Sequence, residues 1–233
     1  MQLFIGVQTD DETLFLTEEE SWHCAKVLRK RNGDLLSVID GKGNLFSGKI
    51  VSDNPKKVLL AIESKEAKKT ARDYKLHIAI APTKNIDRIE WFIEKATELG
   101  VKNIYPIQTK RTEKSSIKEE RLNNIIISAI KQSKQLYLPT LFPLQPFKEV
   151  IRQTQSIPQK FIAHCADNPV RLQNVFQNDK EAIVFIGPEG DFTTDEILLA
   201  QQNGFVPISL GNSILRTETA GVYVTGLIRM LLG

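Results

Sequence analysis

The sequence predicts an α/β protein in two parts, a small amino-terminal β-barrel followed by a mostly parallel sheet covered by helices. Short period-2 apolar runs broken by turn residues fill the first ~65 positions, as in small barrels. A polar stretch at residues 64–72 follows and reads as a linker. Beyond it, apolar strands alternate with helices, the pattern of a parallel sheet buried on both faces. The boundaries expected are 1–70 for the barrel and 73–233 for the α/β domain.

Within the first part, residues 17–29 read as a helix opened by a Thr17-x-x-Glu20 capping box. Alternating runs at 35–39, 45–51 and 57–62 read as strands, separated by Asp40-Gly41-Lys42-Gly43 and Asp53-Asn54-Pro55. In the second part, residues 76–81 form a nearly continuous apolar strand. Ile86, Ile89, Phe92, Ile93, Ala96 and Leu99 then recur at helical spacing, and Gly100 stops that helix. A strand at 101–107 and a helix at 119–135 come next. Strands at 160–164, 182–186 and 206–210 interleave with helices at 195–203 and 219–232.

Composition bounds the function classes. With 233 residues, 41% hydrophobic and 25% charged, the chain has the make-up of an ordinary globular protein. No run approaches the ~18 apolar residues that span a bilayer. The start of the sequence lacks a basic n-region and meets Asp10, Asp11 and Glu12 early, so no signal peptide is expected and the setting reads as cytoplasmic. Cys24 and Cys165 stand alone, which implies neither a disulfide framework nor a zinc site. Net charge is only +3, yet residues 102–134 hold eight basic against three acidic side chains. A second basic cluster comprises Lys26, Arg29, Lys30 and Arg31. Two such clusters tilt the reading toward a polyanion such as nucleic acid, although each alone fits a solvated helix face equally well.

Familiar catalytic frames are missing. There is no G-x-G-x-x-G after a strand, no Walker loop and no H-E-x-x-H. The stretch from Gly211 through Ser213 resembles a nucleophile elbow until Leu215, where a second glycine is required. His77 sits inside an apolar strand and reads as a core histidine, while His164 and Cys165, as strand neighbours, point to opposite faces. Two strand-end loops carry the signal instead. Ile186-Gly187-Pro188-Glu189-Gly190 leaves an apolar strand, and ligands of open α/β sheets bind at such carboxyl ends. Pro188 removes a backbone donor and Glu189 adds negative charge, so the loop suits an uncharged or cationic ligand better than a pyrophosphate. The second loop runs from Leu210 and Gly211 through Ile214, Leu215, Arg216 and Glu218 into the last helix. Its apolar Ile214–Leu215 pair could hold a flat ring; each loop taken singly is also readable as a plain turn with a helix cap.

Together the loops resemble the carboxy-terminal motifs of the SPOUT class of knotted RNA methyltransferases, and within it the RsmE family. That family methylates ring nitrogen 3 of a uridine in bacterial small-subunit (16S) ribosomal RNA. The resemblance extends over the whole chain. It includes His23-x-x-Lys26-Val27-Leu28-Arg29 with Gly33-Asp34, Lys84-x-x-x-Arg88-x-Glu90, Lys95-x-x-Glu98-Leu99-Gly100, Lys131-Gln132-Ser133 and Leu138-Pro139. The Ile186–Gly190 motif is shared among several SPOUT families, whereas Ile214-Leu215-Arg216-Thr217-Glu218-Thr219-Ala220 is far more specific. The family usually carries a second glycine where this chain has Asp191, and often a basic residue where it has Ser213.

The resemblance implies a PUA-like barrel, a SPOUT domain with a trefoil knot, a homodimer and S-adenosyl-L-methionine as cofactor. It implies cofactor binding by Pro82, Thr83, Ile186, Gly187, Pro188, Glu189, Gly190, Leu210, Gly211, Ile214 and Leu215, with the adenine over Ile214 and Leu215. On physical grounds Arg216 would stabilise charge developing on the uracil, with Glu218 as general base or orienter of Arg216 and Glu189 as a weaker candidate for that role. His23, Lys26, Arg29, Lys84, Arg88 and Arg111 would grip ribosomal RNA, although Lys26 and Arg29 also suit a helix carboxyl end. No metal and no membrane are implied. Other readings stay open: a SPOUT ribose 2′-O-methyltransferase, which usually has an Asn-x-Gly-x-x-x-Arg motif absent from residues 82–88; a non-catalytic ribosomal RNA-binding or assembly protein; and a small-molecule α/β enzyme.

Overall fold

A computed structural model describes residues 2–67, 75–164 and 170–232. Its chain divides into one unit formed by Met1–Ala71 with Ile130–Leu138 and another formed by Arg72–Ala129 with Pro139–Gly233. In the first unit, strands β1 (Leu3–Gln8), β2 (Thr13–Leu16), β3 (Leu35–Ile39), β4 (Asn44–Ser52) and β5 (Leu59–Ala67) close into a barrel in the order β1-β2-β5-β4-β3. The alternation read from the sequence turns Leu36, Val38, Phe46, Ile50 and Leu60 inward, where they meet Phe4, Leu14 and Leu16. The stretch read as a linker starts inside β5, and residues 68–74 lie outside the described residues.

The expected helix at 17–29 is interrupted. Helix α1 (Glu18–Trp22) gives way to a π-helical turn at His23–Val27. The capping box expected there is not made, because the Thr17 side chain accepts no capping bond. Glu20 is buried and its carboxylate meets the Lys131 ammonium at 2.5 Å. The Thr17 N–H that a capping box would give to Glu20 donates instead to the Ile5 carbonyl at 3.3 Å. Cys24 is fully buried beside it, and burial pushes its thiol up to about 11, which leaves it inert.

The second unit carries β6 (Leu76–Ile80), α2 (Ile86–Glu98), β7 (Asn103–Gln108), most of α3 (Glu119–Ser133), β8 (Thr140–Leu141), β9 (Gln145–Pro146) and α4 (Phe147–Gln153). Then follow β10 (Gln159–Ala163), β11 (Val170–Arg171), α5 (Leu172–Val175), β12 (Ala182–Ile186), α6 (Thr194–Gln202), β13 (Val206–Ser209) and α7 (Thr217–Leu232). The sheet order is β11-β13-β10-β12-β6-β7-β8, with β9 also on β7, and every ladder is parallel. Strands β6 and β12 are buried at every position, as their unbroken apolar runs require. Each fully buried Ile or Phe of this kind contributes ~1.5–3 kcal/mol. Helix α7 lies against α2 so closely that a Cβ on Gly221 would stand 2.5 Å from the Phe92 ring.

Parallel register sets the position of the site. Pro106, Ile80, Ile186, Ala163 and Ile208 are successive cross-strand partners, so β7, β6, β12, β10 and β13 all end along one edge. Among the described residues no helix is long and apolar enough to cross a membrane.

Candidate active site

Three chain segments meet at that edge. After β6, the Ala81 N–H donates to the Ile186 carbonyl at 3.0 Å, and buried Pro82 and Thr83 follow. The Thr83 hydroxyl donates to the Asn85 carbonyl at 2.7 Å, and the Asn85 side chain caps α2 through the Asp87 N–H. After β12, Gly187 and Pro188 are buried while Glu189 and Gly190 are exposed. The Lys84 N–H donates to Glu189 Oε1 at 3.3 Å, so the charge read on this loop also ties it to the β6 loop.

The β12 loop is held from several sides. Asp191 has φ 61°, the left-handed region that favours glycine, which accounts for the glycine usual there. Aspartate tolerates this conformation, and here Asp191 Oδ1 accepts from the Phe192 N–H at 2.7 Å. Arg111 donates to the Gly190 carbonyl at 2.5 Å, and the Lys110 N–H donates to Glu196 Oε1 at 2.8 Å. Glu196 also completes a capping box with Thr193 at the head of α6. That box was readable as Thr193-x-x-Glu196, and the sequence reading missed it.

The loop after β13 brings the acidic and basic groups to the same edge. Leu210 and Leu215 are half-buried, whereas Gly211, Ile214 and Arg216 are exposed, Ile214 at 87%. Gly211 has φ 134°, and a Cβ there would meet nothing within 4 Å, so open space adjoins the loop. The Thr217 hydroxyl donates to the Gly187 carbonyl at 3.0 Å, fastening the head of α7 to the β12 loop. Glu218 is buried, and its Oε1 lies 3.8 Å from Arg88 Nε. Its Oε2 is buried without a hydrogen-bond partner among the described residues. A carboxyl oxygen left this way has acceptor capacity to spare.

The residues read as RNA grips fall into two groups. Lys84 is exposed and pairs with Glu113 at 3.1 Å, while Arg88 and Arg111 are engaged with Glu218 and Gly190 as described. In the barrel unit, Lys26 and Arg29 are exposed and His23 is half-buried. His164 follows β10, where its N–H donates to the Ile208 carbonyl at 3.2 Å; Cys165 lies outside the described residues. Among the described residues no three His, Cys, Asp or Glu side chains assemble into a group able to hold a metal ion.

A model of the RNA methyltransferase domain matches residues 70–229, and a model of the RNA methyltransferase PUA domain matches residues 16–63. The chain belongs to the RNA methyltransferase domain family. This RNA methyltransferase domain chain is similar to a probable rRNA-methyltransferase of Porphyromonas gingivalis, 34% identical, covering 100% of this chain and 98% of that one at a TM-score of 0.89. It also resembles a putative methyltransferase of Legionella pneumophila solved with bound cofactor SAM, 29% identical, covering 99% and 96% at a TM-score of 0.85. Among curated relatives, the ribosomal RNA small subunit methyltransferase E of Buchnera aphidicola is 29% identical over 94% of this chain and 88% of its own length.

Proposed function

We propose that this chain transfers the methyl group of S-adenosyl-L-methionine to ring nitrogen 3 of a uridine in 16S ribosomal RNA. Its family, the name shared by curated relatives and the SAM-bound Legionella neighbour support the reading. The observation that carries it is the β13 loop. There an apolar Ile214 stands open to a flat ring beside vacant space at Gly211, four residues before a buried carboxylate with an unfilled acceptor. These features fit an adenosine-bearing cation. Ile214 and Leu215 would hold the ring, the backbone of residues 186–190 and 210–211 would hold the rest, and Glu189 and Glu218 suit the positive charge.

The cofactor supplies a methyl already activated on a sulfonium, so the protein's task is positioning and charge control, worth ~7–11 kcal/mol for well-held reactants. Uracil N3 is protonated at neutral pH. As the methyl's bond to sulfur gives way to one to N3, leaving a neutral thioether, the N3 proton must leave, and Glu218 Oε2 would accept it. Arg88 faces the other oxygen of that carboxylate and fixes its orientation. Arg216, exposed at the mouth, places a planar guanidinium against a uracil carbonyl and stabilises the charge that accumulates there.

The same reading includes the knot, the homodimer and the cytoplasmic small ribosomal subunit as the place of work. Exposed Tyr223 and Met230 on α7 suit a surface covered by a second copy. The test is transfer of labelled methyl onto small ribosomal subunits lacking the modification, followed by nucleoside analysis. Label on the uracil base is expected. Label on ribose would favour the 2′-O-methyltransferase reading, and no label would return the chain to the RNA-binding class.

A further inference from the structure

The barrel unit carries a second feature suited to RNA, at the junction of α1 and the π-helical turn. Trp22 ends α1 with 57% of its surface exposed, an unusual place for the largest apolar side chain. The turn that follows makes an i→i+5 hydrogen bond, Leu28 N–H to the His23 carbonyl at 3.0 Å, and ends with a six-residue closure around Arg29, Lys30 N–H to the Cys24 carbonyl at 3.1 Å. In an ordinary helix, residue i+5 has rotated well away from residue i. With i→i+5 bonding, residues four and five positions on both return to the same side. Lys26 and Val27, four and five positions beyond Trp22, are exposed as the indole is, while Cys24 and Ala25 turn into the core.

The turn ends in a second departure from regular backbone. Arg29 has φ 55°, a conformation that L side chains adopt at a cost. It turns the chain at the end of this segment, where exposed Arg29 and Arg31 and half-buried Lys30 stand together in sequence. A flat aromatic face edged by cations is how proteins hold unpaired nucleotides, the ring stacking on a base and the cations meeting phosphates.

We infer that Trp22 is a stacking platform for an unpaired base of the substrate RNA, with Lys26 and Arg29 on the adjoining phosphates. The inference rests on the proposed RNA substrate and deepens it by naming a contact on the barrel. Exposed Glu18 and Glu19 precede the indole on α1 and Arg31 pairs with Asp53 at 3.6 Å, so the phosphates are placed on the Lys26–Arg29 side, where the cations are in excess.

The chain has two tryptophans, Trp22 and Trp91. In a Trp91→Phe background the emission reports Trp22 alone. Titration with a single-stranded oligoribonucleotide, without cofactor, should quench that emission, and a duplex of equal length should quench it less. Trp22→Ala, tested in the unaltered chain by a labelled RNA, should weaken binding about tenfold to a hundredfold, with Trp22→Phe restoring most of it. The slope of affinity against salt should be unchanged in Trp22→Ala and shallower by about one in Lys26→Ala. Unchanged affinity and emission would overturn the stacking role, as would a Trp22→Ala effect confined to oligomeric state in sedimentation. If the parent binds cofactor but no RNA, the stacking role and the RNA reading both fall. Methyl transfer that persists in a chain without the Trp22 effect marks failure of this inference alone.

Discussion

Glu218 is the residue at which burial and chemistry meet. One carboxylate oxygen faces Arg88 and the other has no partner among the described residues, a costly arrangement unless something else completes it. Glu218→Gln keeps the volume and removes the base. The thermal midpoint should stay close to the parent, cofactor affinity should weaken modestly with the lost negative charge, and single-turnover methyl transfer at saturating cofactor should fall by ~10²–10⁴. Arg216→Ala should lower transfer by ~10²–10³ at unchanged stability, since the side chain is exposed. If Arg216 served the fold instead, the melting midpoint would drop and the rate of the folded fraction would not. His77 gives a pH signature elsewhere in the molecule. Burial holds its imidazole below the ordinary value, although Glu181, 3.4 Å away, pulls it upward. The unfolded chain therefore binds more protons below about pH 6.5, so His77 supports the fold fully above that value and the support is lost as pH falls toward the folded value. Urea midpoints should decline through this interval, and His77→Gln should flatten the decline.

At the scale of elements, the helices on either side of the site depend on single side chains. A Cβ at Gly221 would collide with the Phe92 ring between α7 and α2, so Gly221→Ala should cost ~1–3 kcal/mol in urea unfolding. Thr193→Ala removes half of the capping box that starts α6 and should cost ~0.5–2 kcal/mol by the same measurement. The long periodic elements were legible in advance. The helix read from Ile86 to Leu99 is α2, and Gly100, at φ 86°, ends it as expected. The 182–186 strand matches β12 residue for residue. Two-residue strands such as β8, β9 and β11 carry too few side chains to show a period, and β1 and β2 went unread between polar turns. The Thr17 box misled because a pattern four residues long cannot show that Lys131, distant in sequence, claims Glu20.

For the whole molecule, the arrangement of parts was legible and the path of the chain was not. Alternating strands and helices announced a parallel sheet, whose carboxyl edge is the place proposed for the ligand. Nothing local to residues 130–138 marks them as part of the barrel unit, because membership there comes from bonds such as Leu138 N–H to the Gly41 carbonyl. The proposed trefoil knot rests on the family resemblance alone, since local rules never predict threaded connections. The candidate site residues can be named from the sequence because Ile186–Gly190 and Ile214–Glu218 are contiguous motifs, whereas the Arg88–Glu218 pair joins positions 130 apart and only folding reveals it. The central claim is that this edge holds S-adenosyl-L-methionine against Ile214. Calorimetric titration of the cofactor into the parent chain and into Ile214→Asp tests it most directly. Saturable binding by the parent and its loss in an Ile214→Asp chain that melts like the parent is the predicted result. Absence of binding by the folded parent, or equal binding by both, would contradict the account.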